Sequence, residues 1–157
     1  MESGETVWGK PDLKLRGLSI WTLDRPYPDA EIDWDADQIT CRVVAEAAGA
    51  RVELNGTGLS GVTFHHFLKT MTEVHERLDG YAILSGNDLG VEVKLSVDNV
   101  GHVLIDVSVE PEGGVWQKHT FYYVTDQTEL PHFMAQCRRI LEQFPLKVDL
   151  RPPRPRA

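Results

Sequence analysis

Cysteine is scarce in this chain of 157 residues; only Cys41 and Cys137 occur. They stand far apart, each inside an apolar pattern. That usage predicts buried free thiols in a reducing compartment and excludes a disulfide-stapled scaffold. There is no C-x-x-C, no H-E-x-x-H and no histidine pair four residues apart, so no metal site is expected. The adjacent His65 and His66 read as residues flanking an apolar stripe. No G-x-S-x-G elbow is present, and no pair of carboxylates is spaced for acid–base work. The expectation is a non-catalytic protein without a cofactor.

Long hydrophobic runs are missing as well. None approaches the ~20 residues a membrane helix needs, and the N-terminal stretch MESGETVWGKPDLK has no apolar signal core. A cytoplasmic protein without a membrane partner is the expectation. Basic residues are outnumbered: 16 Lys and Arg stand against 24 Asp and Glu, for a net charge of −8 and a pI near 5.2. Nucleic-acid binding needs a basic face and is not expected, whereas a basic protein partner suits this charge. No internal repeat interrupts what reads as one domain over residues 13–150. A loose arm (1–12) precedes it and a flexible Pro/Arg-rich tail (151–157) follows.

What the chain does contain is alternation. Leu13, Leu15, Leu18 and Ile20 suggest a strand with a bulge at Gly17. Ile39, Cys41, Val43 and Ala45 alternate with Thr40, Arg42, Val44 and Glu46; the apolar residues of Val91–Val97 alternate with Glu92, Lys94 and Ser96, and those of Val103–Val109 with Leu104, Asp106 and Ser108. Val115 to Val124 reads as a last long strand. The links after residue 86 are too short for helical crossovers, which predicts a meander. Phe64, Phe67, Leu68, Met71, Val74 and Leu78 follow at helical spacing, with Thr63 as the expected cap and Gly80 as the stop. Leu130, Phe133, Met134, Cys137, Ile140, Leu141 and Phe144 mark a second amphipathic helix. Pro131 fits its first turn, and Thr128 or Asp126 is its cap. The fold expected is α+β: an antiparallel sheet of about six to seven strands with two amphipathic helices packed on one face. Trp21, Trp116 and the aromatic run 121–123 are expected to line the face left open.

Two stretches are candidates for function. Gly56, Gly58 and Gly61 satisfy G-x-G-x-x-G between a short apolar strand and a helix, a pattern that lets backbone approach a pyrophosphate. A nucleotide- or small-molecule-binding protein is the alternative this offers. A β-meander opposes it, because a dinucleotide fold needs further helix–strand units. The second stretch is the acidic segment 24–37, with six carboxylates, two prolines and one arginine. Tyr27, Glu31, Asp33, Trp34, Asp35 and Asp37 are its candidate partner-binding residues. Rings supply buried area at an interface and carboxylates steer a basic partner toward it.

The block Phe121–Pro145 joins an aromatic strand, Thr125-Asp126-Gln127-Thr128-x-Leu130-Pro131, an amphipathic helix and Ile140-Leu141-x-x-Phe144-Pro145. It resembles the WapI-family immunity proteins of bacteria. The likeness reaches back through Gly101-His102 and Leu78-x-Gly80 to Asp35-Ala36, covering roughly residues 35–146. Where the family carries Asn-Trp-Leu after Asp-Ala, this chain has Asp37-Gln38-Ile39, with its tryptophan at 34. The resemblance implies an inhibitor that binds and blocks a cognate protein toxin, with a basic nuclease domain as a fitting target for an acidic inhibitor.

Overall fold

A computed structural model describes residues 8–30, 34–86 and 90–147, with backbone alone for Trp34 and Asp35. The elements in order are β1 (Leu13–Leu15), β2 (Leu18–Asp24), a 3-10 turn (Trp34–Asp37), β3 (Gln38–Ala47) and β4 (Ala50–Ser60). Next come α1 (Gly61–Arg77), β5 (Tyr81–Ser85), β6 (Val91–Val97), β7 (His102–Val109), β8 (His119–Asp126), a second 3-10 turn (Gln127–Glu129) and α2 (Leu130–Gln143).

The strands form two four-stranded antiparallel sheets, β1-β2-β3-β4 and β5-β6-β7-β8, not the single sheet expected from sequence. The physical reason is that α1 carries the chain away between β4 and β5, so these neighbours in sequence never pair. Each strand keeps one apolar face, and the two sheets turn those faces to one shared core. That core takes Leu13, Ile20 and Val43 from the first sheet and Val93, Ile105 and Phe121 from the second. Helix α1 lies against β5 and α2, and α2 lies against β1. Phe64, Phe67 and Met71 of α1 and Phe133, Cys137 and Ile140 of α2 complete the same cluster. Burying a side chain of this size contributes about 1.5–3 kcal/mol, so the core is the main source of stability.

Local chemistry sets the element ends. Ser60, not Thr63, caps α1, its Oγ accepting from the Val62 N–H at 3.1 Å. The helix ends at Leu78 in the left-handed region, φ 52°, with its N–H on the Val74 carbonyl; Gly80 follows as a second left-handed residue. Asp126 caps the 3-10 turn that leads into α2 by accepting from the Thr128 N–H at 2.9 Å. Pro131 occupies the first turn of α2, where no intrahelical donor is lost. Gly17 marks no bulge: Arg16 and Gly17 form the two-residue turn of the β1–β2 hairpin, with Leu15 facing Leu18. Residues 115–118 lie outside β8, in the connection from β7.

Candidate functional site

The two sheets differ in what covers their outer faces. On the first sheet, Trp21 and Val44 point away from the core and are still buried. Residues 8–12 cover part of this face. The Trp21 ring nitrogen donates to the Gly9 carbonyl at 3.1 Å. Asp12 accepts from both the N–H and the hydroxyl of Thr22. Arg42, 4 % exposed, is held between the rings of Trp8 and Trp21, at 4.8 and 5.5 Å from their centroids. Its guanidinium also donates to Asn55 and faces Glu53 at 3.4 Å. Sandwiching between rings suits the planar, weakly hydrated guanidinium and offsets the cost of burying it.

The outer face of the second sheet carries no such cover among the described residues. Tyr81 and Ile83 of β5 and Tyr122 and Val124 of β8 are exposed there, Tyr122 at 75 %. Register places them in two rows: Ile83–Lys94–Asp106–Tyr122 and Tyr81–Ser96–Leu104–Val124. The Lys94 ammonium lies 5.0 Å from the Tyr81 ring centroid. Val115 and Trp116, the latter 75 % exposed, stand in the β7–β8 connection. Trp21 and Trp116 therefore do not line one face, since Trp21 is buried under the opening segment on the first sheet.

The acidic segment is held at its two ends. Arg25 donates to the Ala36 carbonyl at 2.7 Å and to the Pro145 carbonyl, and lies 3.7 Å from the Asp37 carboxylate. Asp37 accepts from the Lys147 N–H at 2.8 Å, and Lys147 Nζ donates to the Pro28 carbonyl. Asp37 is 1 % exposed, turned into the protein and away from any partner. Tyr27 is exposed, as are Asp24 and Asp29. Glu31 and Asp33 lie outside the described residues, as do the side chains of Trp34 and Asp35.

The glycine stretch is not a loop. Gly56 and Gly58 lie within β4, with Thr40 opposite Gly58. Gly56 is the extra residue of a bulge between the Cys41–Thr57 and Arg42–Asn55 pairs, at φ 89°. Gly58 lets Gln38 approach, because a Cβ there would sit 2.1 Å from the Gln38 side-chain nitrogen. Gly61 opens α1 behind Ser60. A hollow of about 310 Å³ beside Gly56 and Gly58 is lined by Glu53, Glu110 and Glu112, with no lysine or arginine. Carboxylates there repel a pyrophosphate. Cationic side chains gather elsewhere: a cleft of about 890 Å³ between residues 9–14 and α2 brings Lys10, Lys14, His132 and Arg139 together beside Asp12.

Both thiols are buried, and burial pushes each up to about 12. A thiol that stays protonated at neutral pH is a poor nucleophile.

Fold and surface together define an α+β architecture with one shared core, one sheet partly covered by residues 8–12, and one sheet whose aromatic and aliphatic outer side chains no described residue covers. Residues 12–145 match the Immunity protein WapI-like family. The chain belongs to that family, and the match runs from just before β1 to just past α2. No match to this chain was found among curated proteins.

Proposed function

We propose that this protein neutralises a cognate bacterial toxin in the cytoplasm by binding it directly, without catalysis. The observation that carries this reading is the family match, which spans both sheets and both helices and not a peripheral motif. The net charge of −8 suits a basic toxin domain, as a nuclease would present, by steering association and opposing wrong partners. The exposed Tyr27, Asp24 and Asp29 of the acidic segment can join that steering; Asp37, committed to Arg25 and Lys147, cannot.

Co-expression tests the reading. The probe is any growth-arresting protein encoded beside the gene for this chain, produced in a sensitive host. The chain is expected to restore growth and to co-purify with the growth-arresting protein in a fixed ratio. Growth arrest that persists at excess protein, with no complex recovered, would defeat the proposal. Nucleotides added to the protein alone are expected to leave its thermal midpoint unmoved, since a bound ligand raises it by mass action.

A further inference from the structure

The toxin-neutralising reading leaves open where the toxin sits. Resting on that reading, we infer that the outer face of the second sheet is the docking surface, and that it takes a basic patch of the toxin flanked by apolar side chains.

Outward positions of a half-buried sheet are normally polar. On the first sheet the outward Trp21 and Val44 are buried, with Leu23 exposed near the end of β2, and the residues around Gly9 lie across Trp21. On the second sheet Tyr81, Ile83, Tyr122 and Val124 meet water. Tyr122 and Val124 are two apart on β8, and Val124 faces Leu104 across the β7–β8 pairing. Tyr81 and Ile83 make a second bank on β5, with Lys94 and Asp106 between the banks. Single exposed apolar residues are ordinary, but two such banks on one sheet face, with Leu104 beside Val124, mark an interaction surface. Tyrosine and tryptophan carry most binding energy where they become desolvated, and Trp116 stands in the connection that enters β8. The platform is pre-organised, because ladder hydrogen bonds hold each of its strands, so docking orders little backbone.

Charge selects the occupant. Glu92, Asp106 and Asp126 lie on this face and Glu112 in the β7–β8 connection. The lysines here are Lys94, drawn over Tyr81, and Lys118, 4.0 Å from Glu110. The surplus is acidic, so a basic protein surface complements it. A second copy of this chain would set acid against acid.

The test measures Kd for the same growth-arresting protein against the full chain and three variants. Tyr81→Ala with Tyr122→Ala is expected to weaken binding about 100-fold, as for two interface anchors. Glu92→Lys with Glu112→Lys is expected to weaken it about tenfold and to flatten its salt dependence. Tyr27→Ala with Asp29→Asn, which touch only the steering of association, is expected to raise Kd less than about threefold, through a slower on-rate with dissociation unchanged. All these positions are exposed, and thermal midpoints verify that each variant folds; the charge-reversed pair tests the face should the tyrosine pair fail to fold. Unchanged affinity in the face variants, with loss in the Tyr27 variant, would overturn the inference. So would a wild-type dimer that the face variants turn into a monomer. If the wild-type chain itself fails to bind, the toxin-neutralising reading falls with it; if it binds and the face variants bind equally, only the location is wrong.

Discussion

The side-chain amide of Gln136 pairs with the backbone of Lys14 on both of its groups. Its Oε1 accepts from the Lys14 N–H at 2.6 Å and its Nε2 donates to the Lys14 carbonyl at 3.4 Å. Strand β1 is an edge of the first sheet, and α2 lies against it. One glutamine thus does for this edge what a further strand would do, and it blunts a site for unwanted pairing. This is why a polar residue, 4 % exposed, sits in the stripe of Phe133, Cys137 and Ile140.

Gln136→Leu keeps the volume and removes both bonds. Stability is expected to fall by about 1–3 kcal/mol, because two part-buried hydrogen bonds between α2 and β1 are lost. Urea unfolding reads the change as a lower midpoint at constant slope.

Gly17 and Tyr123 tie the two sheets together. A Cβ at position 17 would lie 2.2 Å from the Glu46 carbonyl oxygen and 2.6 Å from the Tyr123 ring. The same Glu46 carbonyl accepts from the Tyr123 hydroxyl at 2.8 Å, and the Glu46 N–H donates to Gly17 at 3.0 Å. Gly17→Ala is expected to cost about 1–3 kcal/mol through overpacking against backbone that cannot retreat. The check is the thermal midpoint of the variant against that of Arg16→Ala.

Partial burial raises the Tyr123 phenol above its ordinary value of 10.0. The unfolded chain therefore releases this proton first. The contribution of Tyr123 is whole below pH 10 and is lost as pH rises through its folded value. Above about pH 10 stability should decline, and Tyr123→Phe should lessen the decline, whereas Tyr122→Phe should not. Urea midpoints across that range measure it.

Much of this was readable in the chain. The alternation at Val91–Val97 and Val103–Val109 became β6 and β7, the stripe ending in Phe144 became α2, and Asp126 capped the turn before it. Alternation says which side of a strand faces inward; it does not say which sheet the strand joins, so the division into two sheets was hidden. Gly56 and Gly58 imitate a phosphate loop because a bulge and a close strand contact need the same residue type. Asp37 looks exposed in an acidic run, yet it is buried where Arg25, from the start of the same segment, and Lys147, from a distant part of the sequence, reach it. The outward pair Tyr81 and Ile83 is masked by the inward Ala82 and Leu84, which turn the strand into one unbroken apolar run.

Asp37 and Asp29 separate structure from surface. Asp37→Ala removes the acceptor of the Lys147 N–H and the partner of Arg25, and is expected to lower stability by about 1–3 kcal/mol. Asp29→Ala, in solvent, is expected to stay within about 0.5 kcal/mol of wild type. Chemical denaturation of both variants decides this.

With both thiols held near 12 and out of solvent, a thiol-specific reagent at about pH 8 should label neither cysteine in the native protein. Both should react once denaturant unfolds the chain. Labelling of the folded protein within minutes would contradict the burial.

The most direct measurement is calorimetric titration of the protein into the growth-arresting protein encoded beside its gene, with toxin activity assayed on the same samples. Saturation at a simple whole-number ratio, with activity abolished at that ratio, is the predicted result. A flat titration and full toxin activity in the presence of excess folded protein would contradict it.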